Sequence, residues 1–394
     1  MTLSDLNIKG RRALVRVDFN VPLDESLQVQ DDTRIRRALP TINALLNGGA
    51  SIVLMSHLGR PKGVSDEFSL KHIVSHLEGL LGKHVTFASD CVGDKALRVS
   101  QNLKPGEIAL LENLRFHEEE KRGDEFFAGQ LAENGDLYIN DAFGTAHRNH
   151  ASTAVISRFF PEDKAFGKLL EGEISALSKV MSEPEKPLLA IIGGAKVSSK
   201  LSILENMVEK VDKLMIGGGM AYTFILAQGG KVGSSLIEKE MVERAKIVLE
   251  KAARSSTELL LPEDSICADQ FSANANFELF NSDEINEGWM GLDIGPKACE
   301  RFAKAVKDSK TILWNGPMGV FEFEACSKGT FTVAQALKEA TENGAYTLVG
   351  GGDSVAAINA SGLSNDVSYV STGGGAMLEY LEGKTLPGIA AILD

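Results

Sequence analysis

The stretch TLVGGGDSVA, residues 347–356, predicts a strand that turns through three glycines into a helix. Apolar and β-branched residues form the predicted strand, residues 346–349, while Asp353 and Ser354 open the predicted helix. Glycines let the backbone approach a phosphate closely, and the unpaired N–H groups at a helix N-terminus attract an anion. The stretch therefore indicates an α/β fold with an anion-binding turn at the end of a strand.

Asp353 in this turn has two interpretations. A carboxylate at the edge of a phosphate-binding turn is the hard oxygen ligand that Mg²⁺ takes when it is bound to a phosphorylated substrate. Alternatively, Asp353 is only an N-terminal cap of the helix that follows. The stretch alone does not choose between them, because glycine-rich turns between strand and helix also serve packing.

Length and composition predict a two-domain α/β protein. The chain has 394 residues, 39 of them glycine, with 43% hydrophobic and 24% charged residues. A formal net charge of −13 argues against partners such as nucleic acid or an anionic membrane. The N-terminus lacks the unbroken apolar run of a signal peptide, and no apolar run is long enough to span a bilayer, so we expect a cytoplasmic protein.

The arginines are concentrated in the first part of the chain. Twelve of the 15 arginines lie in residues 1–160, a segment that holds only seven lysines. Arginine is suited to bidentate recognition of phosphate and carboxylate. An acidic protein with this distribution is expected to bind a small polyanion in its first half.

Predicted strands in the first half end in polar residues that suit such a ligand. Apolar strands at 12–19, 51–55, 108–111 and 137–140 deliver these residues at their carboxyl ends, where open parallel sheets bind ligands: Asp18, Asn20, His57, Arg60, Arg115 and Arg148. A helix over 31–47, capped by Asp32 or Thr33, carries Arg34, Arg36 and Arg37 in its first turn. Cations oppose the helix dipole there, so a ligand role for at least one is favoured.

The second half ends its strands differently, in glycines, lysines and carboxylates. The strand at 188–192 leads into GGAKVSSK (193–200), in which Lys196 and Lys200 share a face if the turn opens a helix. Further strands precede residues 217–219, 315–322 and 371–375. A helix over 167–181 is the natural link between the halves.

Several motifs are missing from the chain. Four widely spaced cysteines without a CxxC pair predict neither a disulfide framework nor a zinc site, and His147 and His150 lack a further ligand nearby in the sequence. Neither the P-loop nor the dinucleotide fingerprint occurs. A two-lobed solute-binding protein and a dehydrogenase remain alternatives, but the first should carry an export signal and the second the dinucleotide fingerprint.

Ten segments taken together resemble the phosphoglycerate kinase family, in collinear order over nearly the whole chain. They are RVDFNVP (16–22), TRIRRALP (33–40), SHLGRP (56–61), ENLRF (112–116), DAFGTAHR (141–148), GGAKVSSK (193–200), GGGMAYTF (217–224), WNGPMGVFE (314–322), GGGDS (350–354) and STGGGA (371–376). This chain has Ser199 at a position where the family most often has an acidic residue. The difference removes no predicted ligand.

The resemblance implies an α/β fold of two Rossmann-like lobes, each a parallel sheet flanked by helices, joined by a hinge helix. Residues 1–167 would bind phosphoglycerate, with a C-terminal tail, residues 377–394, packing back on them. Residues 168–181 would form the hinge, and residues 182–376 would bind the nucleotide. The resemblance also implies a monomer that transfers a phosphoryl group reversibly between 1,3-bisphosphoglycerate and ADP, giving 3-phosphoglycerate and ATP, when the hinge closes.

The resemblance assigns ligands residue by residue. The phosphoglycerate ligands would be Asp18, Phe19, Asn20, Arg34, His57, Leu58, Gly59, Arg60, Arg115 and Arg148. The ATP or ADP ligands would be Gly194, Lys200, Gly218, Glu322, Gly350, Gly351, Gly352 and Asp353, with Asp353 holding Mg²⁺. The acceptor is a carboxylate already ionised at neutral pH, so no general base is needed. Charge on the moving phosphoryl group would be stabilised by Arg34, Lys196 and the backbone near Gly351 and Gly374.

Overall fold

The computed structural model describes all 394 residues, which form two compact units. The first unit comprises Met1–Ser175 and Thr385–Asp394, and the second comprises Ala176–Lys384. No helix of the structure combines the length and the apolar character needed to cross a membrane.

The first 181 residues contain six strands and six helices. The strands are β1 (Arg12–Arg16), β2 (Ser51–Met55), β3 (Val85–Ala88), β4 (Ile108–Leu111), β5 (Leu137–Asn140) and β6 (Lys164–Phe166). The helices are α1 (Thr33–Asn47), α2 (Lys71–Leu81), α3 (Gly93–Asn102), α4 (Glu118–Arg122), α5 (Glu125–Ala132) and α6 (Lys168–Met181). The six strands form one parallel sheet in the order β3-β4-β2-β1-β5-β6.

The remaining residues contain eleven strands and eight helices. The strands are β7 (Leu188–Ile192), β8 (Lys213–Ile216), β9 (Lys231–Val232), β10 (Glu258–Leu260), β11 (Asp264–Ala268), β12 (Phe277–Asn281), β13 (Glu284–Ile285), β14 (Met290–Ile294), β15 (Thr311–Asn315), β16 (Tyr346–Val349) and β17 (Tyr369–Val370). The helices are α7 (Leu201–Met207), α8 (Met220–Ala227), α9 (Val242–Ser255), α10 (Pro296–Lys307), α11 (Lys328–Glu342), α12 (Gly352–Ala360), α13 (Gly375–Leu381) and α14 (Pro387–Leu393).

The main sheet of the second unit is also parallel, in the order β10-β8-β7-β15-β16-β17. In both units the central strands are buried along their whole length, as expected for parallel strands covered by helices on both faces. The parallel α/β architecture predicted from the sequence is therefore confirmed.

Each sheet has one place where neighbouring strands lead away in opposite directions. The chain leaves β1 toward β2 and leaves β5 toward β6 on the other side, and in the second unit it leaves β7 toward β8 and β15 toward β16. A crevice forms at such a switch point, outside the carboxyl ends of the strands, and it is the usual ligand site of open α/β sheets. The polar residues predicted for the site follow these strands and their neighbours.

A small antiparallel sheet in the second unit was not predicted. It has the order β12-β11-β14, and a two-stranded parallel pair of β13 and β9 accompanies it. Strand β12 is mostly exposed, with no residue of the strand fully buried. Since a strand without a buried face lacks the alternating apolar pattern, its sequence does not reveal it.

The C-terminal segment divides at residue 385. Helix α13 lies in the second unit, where Asn206 Nδ2 donates to the carbonyl oxygen of Leu381 over 2.5 Å. Helix α14 lies in the first unit, where Gly388 N donates to Ala146 O over 2.8 Å and Lys164 Nζ donates to Ala391 O over 2.9 Å. The segment packed on the first unit is thus shorter than the predicted tail of residues 377–394.

Candidate active site

The end of β1 and the first turn of α1 bring three predicted ligands together. Arg34 Nη1 lies 3.0 Å from Asp18 Oδ2 and donates to the carbonyl oxygen of Asn20 over 3.1 Å. Asp18 is mostly buried, whereas 42% of the Arg34 side chain is exposed. One guanidinium nitrogen is therefore anchored, and the exposed part of Arg34 is left to bind an anion.

Asp32 occupies the N-cap position of this helix, as predicted, but its side chain does not cap the helix. Helix α1 begins at Thr33, and no side-chain cap hydrogen bond comes from Asp32. Asp32 instead accepts from Arg36 Nε over 2.8 Å and pairs with His76 Nε2 over 2.9 Å. Arg36 thus pairs with the N-cap residue of its own helix, whereas Arg34 contacts Asp18 and Asn20, which are themselves predicted ligands, so Arg34 is the better ligand candidate of the two.

The segment after β2 is fixed by hydrogen bonds from neighbouring strand ends. Gly59 N donates to Asn20 Oδ1 over 2.8 Å, and Arg115 Nη1 donates to Gly59 O over 2.7 Å. Asn113 Nδ2 donates to Leu58 O over 2.8 Å. The segments after β1, β2 and β4 therefore form one rigid, cation-lined edge of the sheet.

His57 lies at the centre of this edge and is buried. Arg16 Nη2 is 3.1 Å from His57 Nδ1, and Asp18 Oδ1 is 4.0 Å from the same atom. Burial, together with Arg16, Arg115 and Arg34, lowers the pKa of His57 well below its ordinary value. Burial and Arg16 likewise lower the pKa of Arg115 to about 10. Three cations, Arg16, Arg34 and Arg115, thus lie near His57, as a polyanion site requires.

Arg16 is a buried residue of this edge that the sequence prediction did not include. It is the last residue of β1 and is 1% exposed. Its Nε donates to Ser152 Oγ over 2.9 Å, and Ser152 Oγ donates to the buried Glu120 over 2.6 Å. Arg16 was visible in the sequence as the single charge within the apolar run ALVRV, and that signal could have identified it.

The remaining predicted ligands of the first unit fall into two groups. Phe19 and Leu58 are buried in the core, so they offer only backbone groups, and Phe19 N already donates to Ser56 Oγ over 2.8 Å. Arg60 and Arg148 are exposed and offer their side chains.

In the second unit, the turns after β7 and β15 touch at the switch point. Gly193 N donates to Asn315 O over 2.9 Å, and Gly194 N donates to Pro317 O over 3.2 Å. A Cβ atom on Gly316, which has a φ of +106°, would lie 2.2 Å from Gly193 O. Glycine is therefore required at Gly316 by both its conformation and this close approach.

A cavity of about 400 Å³ opens beside these turns. Its lining comes from the segments after β7, β15 and β16 and from the start of α13: Gly193, Gly194, Ala195, Lys196, Ser199, Lys200, Gly316, Gly351, Gly352, Asp353, Ser354, Gly374, Gly375 and Leu378. The cavity unites seven residues predicted from separate segments, namely Gly194, Lys196, Lys200, Gly351, Gly352, Asp353 and Gly374. Its volume falls within the range of small-molecule sites.

Lys200 and Asn315 organise the floor of this cavity. Lys200 Nζ donates to Asn315 Oδ1, and Asn315 Nδ2 donates to Gly350 O over 2.7 Å. Burial lowers the pKa of Lys200, while the Asp353 carboxylate acts in the opposite direction. A Cβ on Gly351, at a φ of +95°, would lie 2.6 Å from Asn315 Nδ2. The glycine turn and the lysine are therefore held in one hydrogen-bonded group.

The capping interpretation of Asp353 is wrong. Helix α12 begins at Gly352 with Gly351 as its cap residue, and no side-chain hydrogen bond caps it. Asp353 lies in the first turn and is exposed on the cavity wall. Its carboxylate is thus available to a ligand.

The structure differs from the sequence predictions at two further places. The turn after β7 does not open a helix until Leu201, so Lys196 and Lys200 do not share a helix face. Gly218, Gly350 and Glu322 do not line the cavity, and Gly350 is buried. Gly218 N instead donates to Met318 O over 3.0 Å and supports the neighbouring turn, while Glu322 is exposed.

Comparison with known proteins shows similarity over nearly the whole chain. A sequence profile described as phosphoglycerate kinase matches residues 3–384. A phosphoglycerate kinase of Porphyromonas gingivalis is 49% identical over 416 aligned positions, with all of both chains covered. A chloroplastic phosphoglycerate kinase of Volvox carteri is 50% identical, over 99% of this chain and 85% of the relative.

Solved structures with a similar fold are also known. The phosphoglycerate kinase of Coxiella burnetii matches with a TM-score of 0.92 and 41% identity, over 100% of this chain and 98% of the other. That of Pyrococcus horikoshii matches with a TM-score of 0.83 and 30% identity over the same shares. The chain therefore belongs to the phosphoglycerate kinase family.

Proposed function

We propose that the chain transfers a phosphoryl group reversibly between 1,3-bisphosphoglycerate and ADP, giving 3-phosphoglycerate and ATP, as a kinase of glycolysis and gluconeogenesis. The observation that carries this function is the family match over residues 3–384. A non-enzymatic solute-binding protein and a dehydrogenase have no support in the comparisons.

Phosphoglycerate is assigned to the cationic edge of the first sheet. Arg60, Arg115 and Arg148 would hold its phosphate, because guanidinium groups bind phosphate oxygens bidentately. Asp18 and Asn20 would accept from its hydroxyl group, and Arg34 would bind its carboxylate. The neutral His57 would act as a hydrogen-bond donor. Backbone groups of Phe19, Leu58 and Gly59 would complete the site.

The nucleotide is assigned to the cavity of the second unit. Gly351 and Gly352 line the cavity and would let the phosphates approach the N-terminus of α12, with Gly350 preceding them in the same turn, and the Lys200 ammonium group would supply positive charge. Gly194 and Gly218 would lie near the base, and Glu322 would bind the ribose side of the nucleotide. The contact between the turns that carry Gly194 and Gly218 supports this pairing, because a Cβ on Gly218 would lie 2.6 Å from Gly194 O.

The residues of this cavity fit a magnesium ion bound through the nucleotide. Mg²⁺ usually keeps several waters and is held by one or two carboxylates together with substrate phosphates. Asp353 is an exposed carboxylate on the cavity wall that no helix cap occupies. When bound, the ion would neutralise charge on the phosphates.

The chemistry then depends on positioning rather than on acid–base groups. The acceptor carboxylate is ionised at neutral pH and needs no base. Charge on the equatorial oxygens of the moving group would be stabilised by Arg34, Lys196 and the N–H groups near Gly351 and Gly374. Closure about the hinge helix, a monomeric state and a cytoplasmic location remain predictions from the sequence.

A coupled assay with 3-phosphoglycerate, ATP and Mg²⁺ tests the function. We expect turnover that needs all three components and that is lost in Arg34→Ala. Turnover of ATP without 3-phosphoglycerate, or binding of 3-phosphoglycerate without turnover, would contradict the proposal.

A further inference from the structure

Three side chains away from the catalytic residues come together in the first unit. Asp90 and Cys91 follow β3, and His117 immediately precedes α4. Their ligand atoms, a carboxylate oxygen, a thiol sulfur and an imidazole nitrogen, all lie within 4.8 Å of one another. This set is the only group of three such side chains in the chain that is close enough to share a metal ion.

The trio is held in place by its surroundings. Asp90 Oδ1 accepts from Cys91 N over 2.8 Å and pairs with His117 Nε2 over 2.9 Å. The His117 ring packs against Phe127 with centroids 5.2 Å apart, and Asn134 Nδ2 donates to Cys91 O over 3.3 Å. Pre-positioned ligands of this kind reduce the ordering cost of binding a cation.

Charge and access also suit a dication. Cys91 is fully buried, whereas about a third of each of the other two side chains is exposed, so two of the three ligands face solvent. The carboxylates of Asp90, Glu120 and Glu112 lie near enough to Cys91 to act on it electrostatically. The same negative charge attracts a cation. One carboxylate and one thiolate would balance two positive charges.

We propose that Asp90, Cys91 and His117 form a binding site for a thiophilic divalent cation of the Zn²⁺ class. Sulfur and imidazole ligands select Zn²⁺ over Mg²⁺, which takes oxygen ligands in octahedral geometry. The three protein ligands leave a fourth tetrahedral position for water. The site differs from the proposed magnesium position at Asp353, which lies in the other unit.

A bound ion would join two segments that end different strands. It would tie residues 90–91, after β3, to His117, which follows Arg115 by two residues. Any ligand that binds the folded state alone stabilises it by mass action. We therefore expect the cation to raise the melting temperature of the protein.

Cobalt provides the test, because Co²⁺ bound to a thiolate has a sulfur-to-metal absorption band in the near ultraviolet. Reduced, chelator-treated protein is titrated with Co²⁺ alone, then with Zn²⁺ or excess Mg²⁺. We expect one equivalent of Co²⁺ to produce the band, one equivalent of Zn²⁺ to abolish it and Mg²⁺ to leave it unchanged. The band should disappear in Cys91→Ser, and affinity should fall roughly 10-fold or more in His117→Ala.

Matched controls come from the same chain. Cys267→Ser removes another buried cysteine, and His84→Ala removes a histidine paired with Glu78 over 2.6 Å but lying outside the trio. Both should keep the band. Absence of the band in the unchanged protein, its survival in Cys91→Ser, or unchanged affinity in His117→Ala would overturn the proposal. If Cys91→Ser does not fold, the Co²⁺ affinity of His117→Ala tests the proposal, because His117 is partly exposed and its replacement is better tolerated.

Discussion

Arg16 donates a hydrogen bond from Nη2 to His57 Nδ1 over 3.1 Å, and both side chains are buried. A guanidinium group has only donors, so Nδ1 must be the acceptor. Since the neighbouring cations and burial lower the pKa of His57, the ring is neutral and its proton is on Nε2. Arg16 thus determines which atom of His57 can donate to a substrate.

The first prediction is that His57 keeps this tautomer across the neutral range. Long-range ¹H–¹⁵N spectra should show one neutral imidazole with its proton on Nε2 that does not titrate between about pH 6 and 8. Arg16→Gln should shift the His57 signals, because it removes the cation. The signals of the exposed His84 serve as an internal reference. Titration of His57 near its ordinary pKa would contradict the assignment.

Arg34 is predicted to act mainly in the transition state. Arg34→Lys keeps the positive charge but loses the planar, bidentate N–H donors of the guanidinium group, so lysine should not support normal activity. By analogy with the loss of one transition-state donor, kcat should fall roughly 10²–10³-fold or more, about 3–4 kcal/mol. The melting temperature of Arg34→Lys should change little, because lysine keeps a positive charge beside Asp18 and 42% of the Arg34 side chain is exposed.

Steady-state kinetics and direct titration of 3-phosphoglycerate separate the roles of Arg34. We expect affinity for 3-phosphoglycerate to change far less than kcat, because the other arginines hold the phosphate. A near-normal kcat with a raised KM would make Arg34 a ground-state binding residue only. Arg36→Lys is the matched control, because Arg36 is paired with Asp32 in the same helix turn.

The third prediction concerns Asp353 and magnesium. Asp353→Asn should weaken binding of MgADP much more than binding of metal-free ADP, because the amide replaces a charged oxygen ligand. Calorimetric titrations with and without Mg²⁺ measure the difference. Glu243→Gln provides a control, because this exposed carboxylate pairs with Lys246 and lies outside the cavity. Equal losses of ADP affinity with and without Mg²⁺ would show that Asp353 does not bind the metal.

The fourth prediction tests the cationic edge of the first sheet. Sulfate should compete with 3-phosphoglycerate, and the competition should weaken in Arg60→Ala and in Arg148→Ala, because both arginines offer exposed guanidinium groups to oxyanions. Arg122→Ala, which removes an exposed arginine paired with Glu119 over 2.9 Å, should leave it unchanged. Undiminished sulfate inhibition in both site variants would locate the anion elsewhere.

The fifth prediction concerns a buried carboxyl group in the second unit. Asp293 Oδ2 accepts from Gly329 N over 2.7 Å at the start of α11, while Oδ1 is buried without a partner. Burial raises the pKa of Asp293 to about 7, above its ordinary value of 3.8. Between these values the unfolded chain has lost a proton that the folded protein keeps. Stability from this group is therefore full below about pH 4 and is lost as pH rises through 7.

Denaturant unfolding of Asp293→Asn across this range measures the effect. The asparagine does not titrate, so the variant should gain stability relative to the unchanged protein as pH rises from about 4 to 7. The gain should be at most roughly 1.4 kcal/mol per pH unit. A difference independent of pH would show that Asp293 is ionised in the folded protein throughout.

Much of the fold was predictable because parallel strands carry a strong local signal. Strands β2, β4, β5, β7 and β16 match the predicted bounds, since mostly apolar runs of four or five residues bounded by polar or glycine turns are typical of strands buried on both faces. The exposed β12 gives no such signal. Helix starts were less accurate, because capping depends on side-chain partners such as the Asp32 and His76 pair, which lie 44 residues apart.

By itself the sequence determined the two parallel sheets, the residues at their strand ends and, through ten collinear segments, the family. These properties depend on residues that are neighbours in the chain. The tertiary structure alone identified Arg16 as the partner of His57, excluded Asp353 as a cap and brought His117 to Cys91. The Arg16–His57 and His117–Cys91 contacts join atoms from separate strand ends that meet only when the sheet has formed, and burial there changes their hydrogen bonds and charge.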